Sequence, residues 1–224
     1  MIQSVRSLCL SVMLLAAVML GMLVSRYALA ESRNRVNSEA VIIDSKMTSK
    51  EAFAGLSTDC PEKIRRRQKL IEVKYYSSDK KIHQGQLVID ADLENDVKTV
   101  FSLAFKQRFP IHSVIPIAAK QFGLDDNLSM AADNTSAFNY RFSVGTTHLS
   151  KHAYGRAIDI NPFQNPYIKG NTVLPKGAKY DPAAAGTLTK NHPIVRAFVR
   201  LGWTWGGSWI SLKDYQHFQK PLKE

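Results

Sequence analysis

The amino-acid sequence predicts an α+β domain in which helices flank a small antiparallel sheet. Three observations support this fold class: residues 70–76 alternate between apolar and polar, residues 85–89 form a short apolar run, and residues 92–109 show helical spacing. Strands and helices are interspersed along the chain without the regular β–α–β order that builds a parallel sheet, and this favours the α+β class. Because 45% of the 224 residues are hydrophobic, the chain contains enough apolar material for a core.

Each predicted element follows from a local pattern. Leu70–Tyr76 alternates as a strand with one buried face does, and Gly85–Ile89 is its expected partner. The helix from Asp92 to Phe109 ends before Pro110, and its buried face is formed by Val97, Val100, Phe101, Ala104 and Phe105.

The remaining segments have weaker patterns. A second helix begins at Pro193, a residue favoured in the first helical turn, and continues to Gly202. The region between the helices is rich in Gly, Pro and Asn, and is expected to contain short strands, including a buried one over Ala157–Ile160. Residues 31–65 are predicted to form a linker with one short helix near 49–56.

The first thirty residues have the organisation of a targeting segment. Arg6 precedes an apolar run from Leu8 to Val24, and Ala28-Leu29-Ala30 follows as a small-x-small site. This pattern is typical of a secretory signal peptide over 1–30. An uncleaved membrane anchor over residues 8–24 is the alternative, since about 20 apolar residues span a bilayer. In both cases we expect residues 66–224, the main domain, to be exported to the periplasm or cell envelope, anchored or secreted.

Charge and cysteine content narrow the possible partners. The chain has 30 basic and 19 acidic residues, a net charge of +11. For an exported protein this balance indicates an anionic envelope polymer as partner rather than nucleic acid. The densest basic cluster, Lys63–Lys69, is interpreted as a solvated surface, with attraction to an anionic polymer or membrane surface as the alternative. Two cysteines exclude a disulfide-stapled scaffold and a Cys-rich zinc module.

Two short segments carry the residues suited to chemistry. In the first, His152 is followed across a turn at Gly155 by Asp159, which lies between two isoleucines. A buried carboxylate in such a position needs a cation or several hydrogen-bond donors. The second segment contributes Asp214 and His217. Two histidines and one aspartate would form a three-ligand zinc site with an open position, and the spare carboxylate would accept a proton from water. Structural histidines are the alternative interpretation.

The same residues resemble the signature of a known family. The pattern Ser150-x-His152-x-x-Gly155-x-Ala157-x-Asp159, followed by Asp214-x-x-His217, is similar to that of the M15 zinc metallopeptidases. This family includes D-alanyl-D-alanine carboxypeptidases and L-alanyl-D-glutamate peptidases of bacterial cell walls. The resemblance extends over about 70–219, and segments similar to the VanY-like branch are Arg108–Ile111, Ser129–Arg141 and Trp205–Gly207.

The resemblance implies a role for each site residue. The ligands of one zinc ion would be His152, Asp159 and His217. Asp214 corresponds to the general base, and Arg141 to the arginine that holds the scissile carbonyl and stabilises the oxyanion. Ser150 and Ser143 are candidate substrate contacts. Two positions depart from the family pattern, namely Ser208, where many relatives have an acidic residue, and His148, an additional imidazole.

The resemblance therefore implies a zinc peptidase acting on peptidoglycan stem peptides, with D-alanyl-D-alanine carboxypeptidase as the preferred activity. L-alanyl-D-glutamate endopeptidase is the first alternative. A non-catalytic wall-binding relative is the second, although the presence of Asp214 and Arg141 favours an enzyme. A basic polymer-binding protein with a structural metal is the third.

Overall fold

The computed structural model describes residues 25–26, 40–56, 58–143 and 145–222. The chain divides into one unit over 1–40 and a second over 41–224, and almost every described residue belongs to the second. Apart from Ser25 and Arg26, the predicted targeting segment lies outside the described residues. Within the described part of the chain, no helix combines the length and apolar character needed to span a bilayer.

Short elements dominate the domain. The strands are β1 (Ile42–Ile43), β2 (Gln68–Tyr76), β3 (Ile82–Asp90), β4 (Ser113–Val114), β5 (Asn134–Thr135), β6 (Ala157–Asp159), β7 (Tyr167–Lys169), β8 (Thr172–Leu174), β9 (Thr204–Trp205), β10 (Lys213–Asp214) and β11 (His217–Gln219). The helices are α1 (Ser49–Ala52), α2 (Glu62–Arg65), α3 (Glu94–Lys106), α4 (Asp126–Ala131) and α5 (Pro193–Arg200). Short 3-10 turns cover Ala91–Leu93, Lys151–Tyr154 and Gly206–Ser208.

The central feature is the long antiparallel hairpin of β2 and β3, in which Gln68 pairs with Asp90 and Tyr76 with Ile82. Helices α3 and α5 pack with it around one hydrophobic core, whose members include Leu87, Ile89, Val97, Phe101, Ile158, Phe198 and Phe218. The α+β class is therefore confirmed. The hairpin sheet is mixed rather than purely antiparallel, because β1 pairs parallel to β3.

Helix α3 ends earlier than the sequence pattern predicts. Its last residue is Lys106, and Arg108 adopts a left-handed φ of 52°. The Phe109 N–H then donates to the Ala104 carbonyl (2.9 Å), which closes the helix end in a Schellman-like turn. The helix thus stops through its own cap, before Pro110 is reached.

Part of the predicted linker is folded against the domain. Residues 41–65 contain β1, α1 and α2, and Ala52, Cys60 and Ile64 are buried in a second apolar cluster with Val88 and Phe138. Helices of four residues are too short for a hydrophobic periodicity to repeat, so the sequence pattern does not reveal them. The folded domain therefore begins near residue 41 rather than residue 66.

Candidate zinc peptidase site

The three predicted metal ligands converge at the meeting of two strands and a turn. Strands β6 and β11 pair antiparallel and place Asp159 opposite His217. His152 lies in the 3-10 turn Lys151–Tyr154, which precedes β6. All three residues are buried, and one ligand atom of each lies within 4.8 Å of the others.

The turn that carries His152 is fixed at both ends. Ser150 is its N-cap, and the Ser150 hydroxyl accepts a hydrogen bond from the His152 backbone N–H (3.3 Å). Gly155 ends the turn with φ 64°, and a Cβ there would lie 2.7 Å from the Asp90 backbone nitrogen. Glycine is therefore required, both for its backbone conformation and for the close approach to the hairpin.

Each of the two histidines uses one ring nitrogen to donate a hydrogen bond, and their other ring nitrogens face each other. His152 Nδ1 donates to the Ala137 carbonyl oxygen (2.5 Å), and His217 Nε2 donates to Gln219 Oε1 (3.1 Å). The remaining nitrogens, His152 Nε2 and His217 Nδ1, are 3.2 Å apart. Oxygens of Asp159 lie 3.2 Å and 2.9 Å from these two nitrogens. Each of these converging atoms can act as an acceptor, so the cluster needs either a shared proton or a cation between them.

Electrostatics support the same conclusion. Burial alone would raise the pKa of Asp159, but the charge and hydrogen bonds of His152 and His217 outweigh burial and hold it well below its usual range. Burial would lower the pKa of His217, but its contacts with Asp159 raise the pKa to about 9. Without a metal, the site therefore retains a proton that a metal would displace. Two imidazoles and one carboxylate fit zinc as a donor set.

Asp214 lies beside this cluster on β10, which pairs with β7. Burial raises the pKa of its carboxyl group to about 6, against the opposing charge of His217. Among the described residues, Asp214 Oδ1 is a buried oxygen without a hydrogen-bond partner. An acceptor with a pKa near neutrality is suited to general-base chemistry.

The Trp205-Gly206-Gly207 segment positions Asp214. Trp205 Nε1 donates to the Tyr215 carbonyl (2.8 Å), which holds the chain directly after Asp214. A Cβ at Gly206 would lie 2.5 Å from the Asp214 carbonyl oxygen, and a Cβ at Gly207 would overlap the Trp205 ring. Both glycines therefore allow backbone to pack where any larger residue would displace Asp214 or Trp205.

Arg141 is placed next to the metal-site turn by its backbone. Its carbonyl accepts a hydrogen bond from the Ser150 N–H (3.0 Å). Its guanidinium forms an ion pair with Asp126 on α4 (2.7 Å), and its Nε is buried without a hydrogen-bond acceptor among the described residues. The predicted role of Arg141 toward a substrate carbonyl stays a prediction.

The other predicted residues have different surroundings. The hydroxyl of Ser150 is buried and used as a helix cap, so the structure gives it a positioning task. The Ser143 N–H donates to the His148 carbonyl (2.9 Å) and closes a loop at the surface. His148 and Ser208 are exposed. Substrate contacts by Ser143 and Ser150 stay predictions.

Sequence reasoning missed two groups that orient the histidines. Gln219 lies two residues after His217, and the alternation of a strand places both on one face, a signal available in the sequence. The Ala137 carbonyl is a backbone group, which no side-chain pattern could indicate.

Comparison with known proteins gives one family match. The M15 family model described as D-alanyl-D-alanine carboxypeptidase matches residues 144–220, about a third of the chain. The resemblance to the M15 family is confirmed. The M15 match contains the three candidate ligands and Asp214, whereas Arg141 and Ser143 precede it. No curated protein and no solved structure matches the chain.

The basic cluster Lys63–Lys69 is extensively paired within the protein. Arg66 contacts Glu62 (2.6 Å), Arg67 contacts Asp90 (2.9 Å), and Lys69 contacts Glu94 (2.5 Å). Intramolecular pairing reduces the charge that these side chains present to a polymer. This observation disfavours the hypothesis that polymer binding through the cluster is the main function.

Proposed function

We propose that the protein is an exported, zinc-dependent peptidase that hydrolyses peptidoglycan stem peptides as a D-alanyl-D-alanine carboxypeptidase. The observation that carries the proposal is the convergence of lone pairs from His152, Asp159 and His217 beside the buried Asp214 carboxyl group. The description of the matching M15 model favours the carboxypeptidase activity. The apolar run and small-x-small site in residues 1–30 support export.

The ligand residues prepare the site for a metal. A zinc ion held by His152, Asp159 and His217 would act as a Lewis acid, polarising a peptide carbonyl and acidifying water. Ala137 and Gln219 bind the outer N–H groups of the two histidines, so that the inner lone pairs stay oriented toward the centre. The Asp159 carboxylate contributes the negative charge that offsets a dication.

Asp214 moves the protons of the reaction. Its unpartnered Oδ1 accepts a proton from the attacking water, and the same oxygen then donates this proton to the leaving amine. Burial raises the pKa of this carboxyl group to about 6 in the metal-free protein, which makes the carboxylate a better proton acceptor than an ordinary aspartate. In this proposal the Arg141 guanidinium donates to the carbonyl oxygen of the substrate while Asp126 holds it in place.

The test is digestion of purified muropeptides with and without a chelator, followed by mass analysis. Loss of a terminal D-Ala supports the carboxypeptidase, whereas cleavage after L-Ala assigns the endopeptidase activity instead. Asp214→Asn should abolish the product and retain bound zinc. Glu72→Gln, an exposed carboxylate on β2, is the matched control and should keep full activity. Absence of any chelator-sensitive product would refute the peptidase proposal.

A further inference from the structure

A cavity lies between the hairpin turn, the end of α3 and the segment after β6. Its volume is about 380 Å³, within the range of small-molecule sites. The polar and charged residues that matter for its chemistry are Tyr76, Lys80, Arg108, His112, Asp133 and Gln164. Its lining includes neither the three metal ligands nor Asp214 or Arg141, so the cavity is distinct from the metal site.

Backbone strain is concentrated around this cavity. Five described non-glycine residues have a left-handed φ, and four of them line the cavity: Lys80, Arg108, Asp133 and Asn161, with φ between 47° and 65°. Each such residue costs on the order of 1 kcal/mol, and strain of this kind tends to cluster at ligand sites. The φ of Arg108 also closes the end of α3, so the shared location supports a ligand site only together with the polar side chains that line the cavity.

One part of the wall is suited to a nitrogen donor. Asp133 is buried, its Oδ1 accepts from the Phe163 N–H (2.8 Å), and its ion-pair contact in the described chain is His112 Nδ1 at 3.9 Å. Burial raises the pKa of Asp133, although the Phe163 N–H, a hydrogen bond from the Gln164 side chain and the charge of His112 act in the opposite direction. Gln164 Oε1 is a buried acceptor without a partner among the described groups. An ammonium group would satisfy both acceptors.

Another part of the wall is suited to an anion. Arg108 and Lys80 are exposed cations at the cavity, and the Arg108 guanidinium lies over the Tyr76 ring, 5.2 Å from its centroid. Stacking on the ring restricts the guanidinium while its N–H groups remain able to bind a carboxylate. The cavity therefore combines two cations with a buried carboxylate.

We propose that this cavity binds a zwitterionic amino-acid group, its ammonium at Asp133 and Gln164 and its carboxylate at Arg108 and Lys80. A simple anion would leave the acceptors unsatisfied, and a simple amine would leave the cations unused. The group has two sources: a free amino acid, or the free end of a diamino-dicarboxylic residue within a peptide. The site does not require zinc chemistry.

Isothermal titration calorimetry on the full chain at neutral pH tests the proposal. EDTA is present throughout, so that binding at the metal site does not contribute. The probes are alanine, N-acetylalanine, which lacks the ammonium, and alaninamide, which lacks the carboxylate. Each change of the ligand should weaken binding to the wild type roughly 10-fold or more.

Two variants assign the charges to residues. Asp133→Asn should remove the difference between alanine and N-acetylalanine, and Arg108→Asn should remove the difference between alanine and alaninamide. Asparagine is chosen because it tolerates a left-handed φ. The controls are Asp181→Asn and Arg200→Asn, at exposed positions outside the cavity. Thermal unfolding checks that each variant is folded. If Arg108→Asn does not fold, Lys80→Gln tests whether a cation at the cavity binds the ligand carboxylate.

Each result of these titrations either supports or overturns the proposal. Failure of alanine to bind more tightly than about 10 mM, or unchanged ligand preferences in the variants, would overturn the proposal. A further arm compares free diaminopimelic acid with a muropeptide that carries the same residue, in an Asp214→Asn background to prevent hydrolysis. Tighter binding of the peptide identifies a second contact for the substrate, and tighter binding of the free acid identifies a metabolite site.

Discussion

Substituting Gly206 by alanine should slow catalysis without removing a catalytic group. The new Cβ would lie 2.5 Å from the Asp214 carbonyl oxygen and 2.9 Å from the Asp214 Cβ, whereas ordinary contacts begin near 3.4 Å. Asp214 would therefore have to move by about 0.9 Å to relieve the closer contact. A displacement of this size at a reacting group costs on the order of 100-fold in rate. We accordingly expect a 10- to 100-fold lower kcat.

The assay is steady-state release of the terminal residue from a muropeptide, with bound zinc measured on the same sample. Zinc content should stay at one ion per chain, because the three atoms nearest to the added Cβ all belong to Asp214 and not to a ligand. Ser208→Ala, exposed in the same turn, is the control and should retain full activity. Gly206→Ala should add little to the loss already caused by Asp214→Asn. A folded Gly206→Ala enzyme with wild-type kcat would refute the proposed positioning of Asp214.

Three further perturbations test separate parts of the structure. Gln219→Leu removes the acceptor of the His217 N–H and should weaken zinc binding about 10- to 100-fold in a chelator competition assay; unchanged affinity would contradict the orienting role. In the metal-free protein, Asp214→Asn should raise stability above pH 6 by roughly 1–3 kcal/mol in urea unfolding. The reason is that the carboxyl group of Asp214 ionises at about pH 4 in the unfolded state but only at about pH 6 in the native state. The wild type therefore loses stability as the pH rises from about 4 to about 6. A bound dication lowers this pKa, so the acid limb of kcat/KM should lie at or below about pH 6. Asp90→Ala leaves the buried Arg156 without its carboxylate (3.4 Å) and should cost about 3–5 kcal/mol, whereas a loss below 1 kcal/mol would show that Arg156 finds another partner.

The parts of the fold that sequence predicts are those whose pattern repeats. The hairpin strands are nine residues long and α3 spans thirteen, so alternation and helical spacing are both visible. Residues 41–65 contain helices of four residues, and their place in the structure depends on contacts with Val88 and Phe138 from distant segments. Tertiary contacts of this kind leave no local signal.

The candidate site shows the same division. His152, Asp159 and His217 could be proposed because metal chemistry restricts both residue type and number. The Asp126 partner of Arg141 comes from α4, a separate segment, and could not be inferred from spacing. The cavity near the hairpin turn could not be predicted from the sequence, because residues in its wall adopt left-handed φ values. Asp and Asn adopt such values more often than other residues, but Lys80 and Arg108 belong to types that rarely do.

The metal-site turn is attached to the hairpin by bonds that do not involve a metal. The Asp90 N–H donates to the Gly155 carbonyl (2.9 Å), Gln68 Nε2 donates to the Tyr154 carbonyl (3.2 Å), and His152 is held by Ala137. The free energy of folding, rather than that of metal binding, therefore orders the ligands. Zinc should therefore leave and return without global unfolding, unlike in small zinc fingers, where metal binding and folding are one event. Under the proposed function, the exported domain would fold outside the cytoplasm first and bind its metal afterwards.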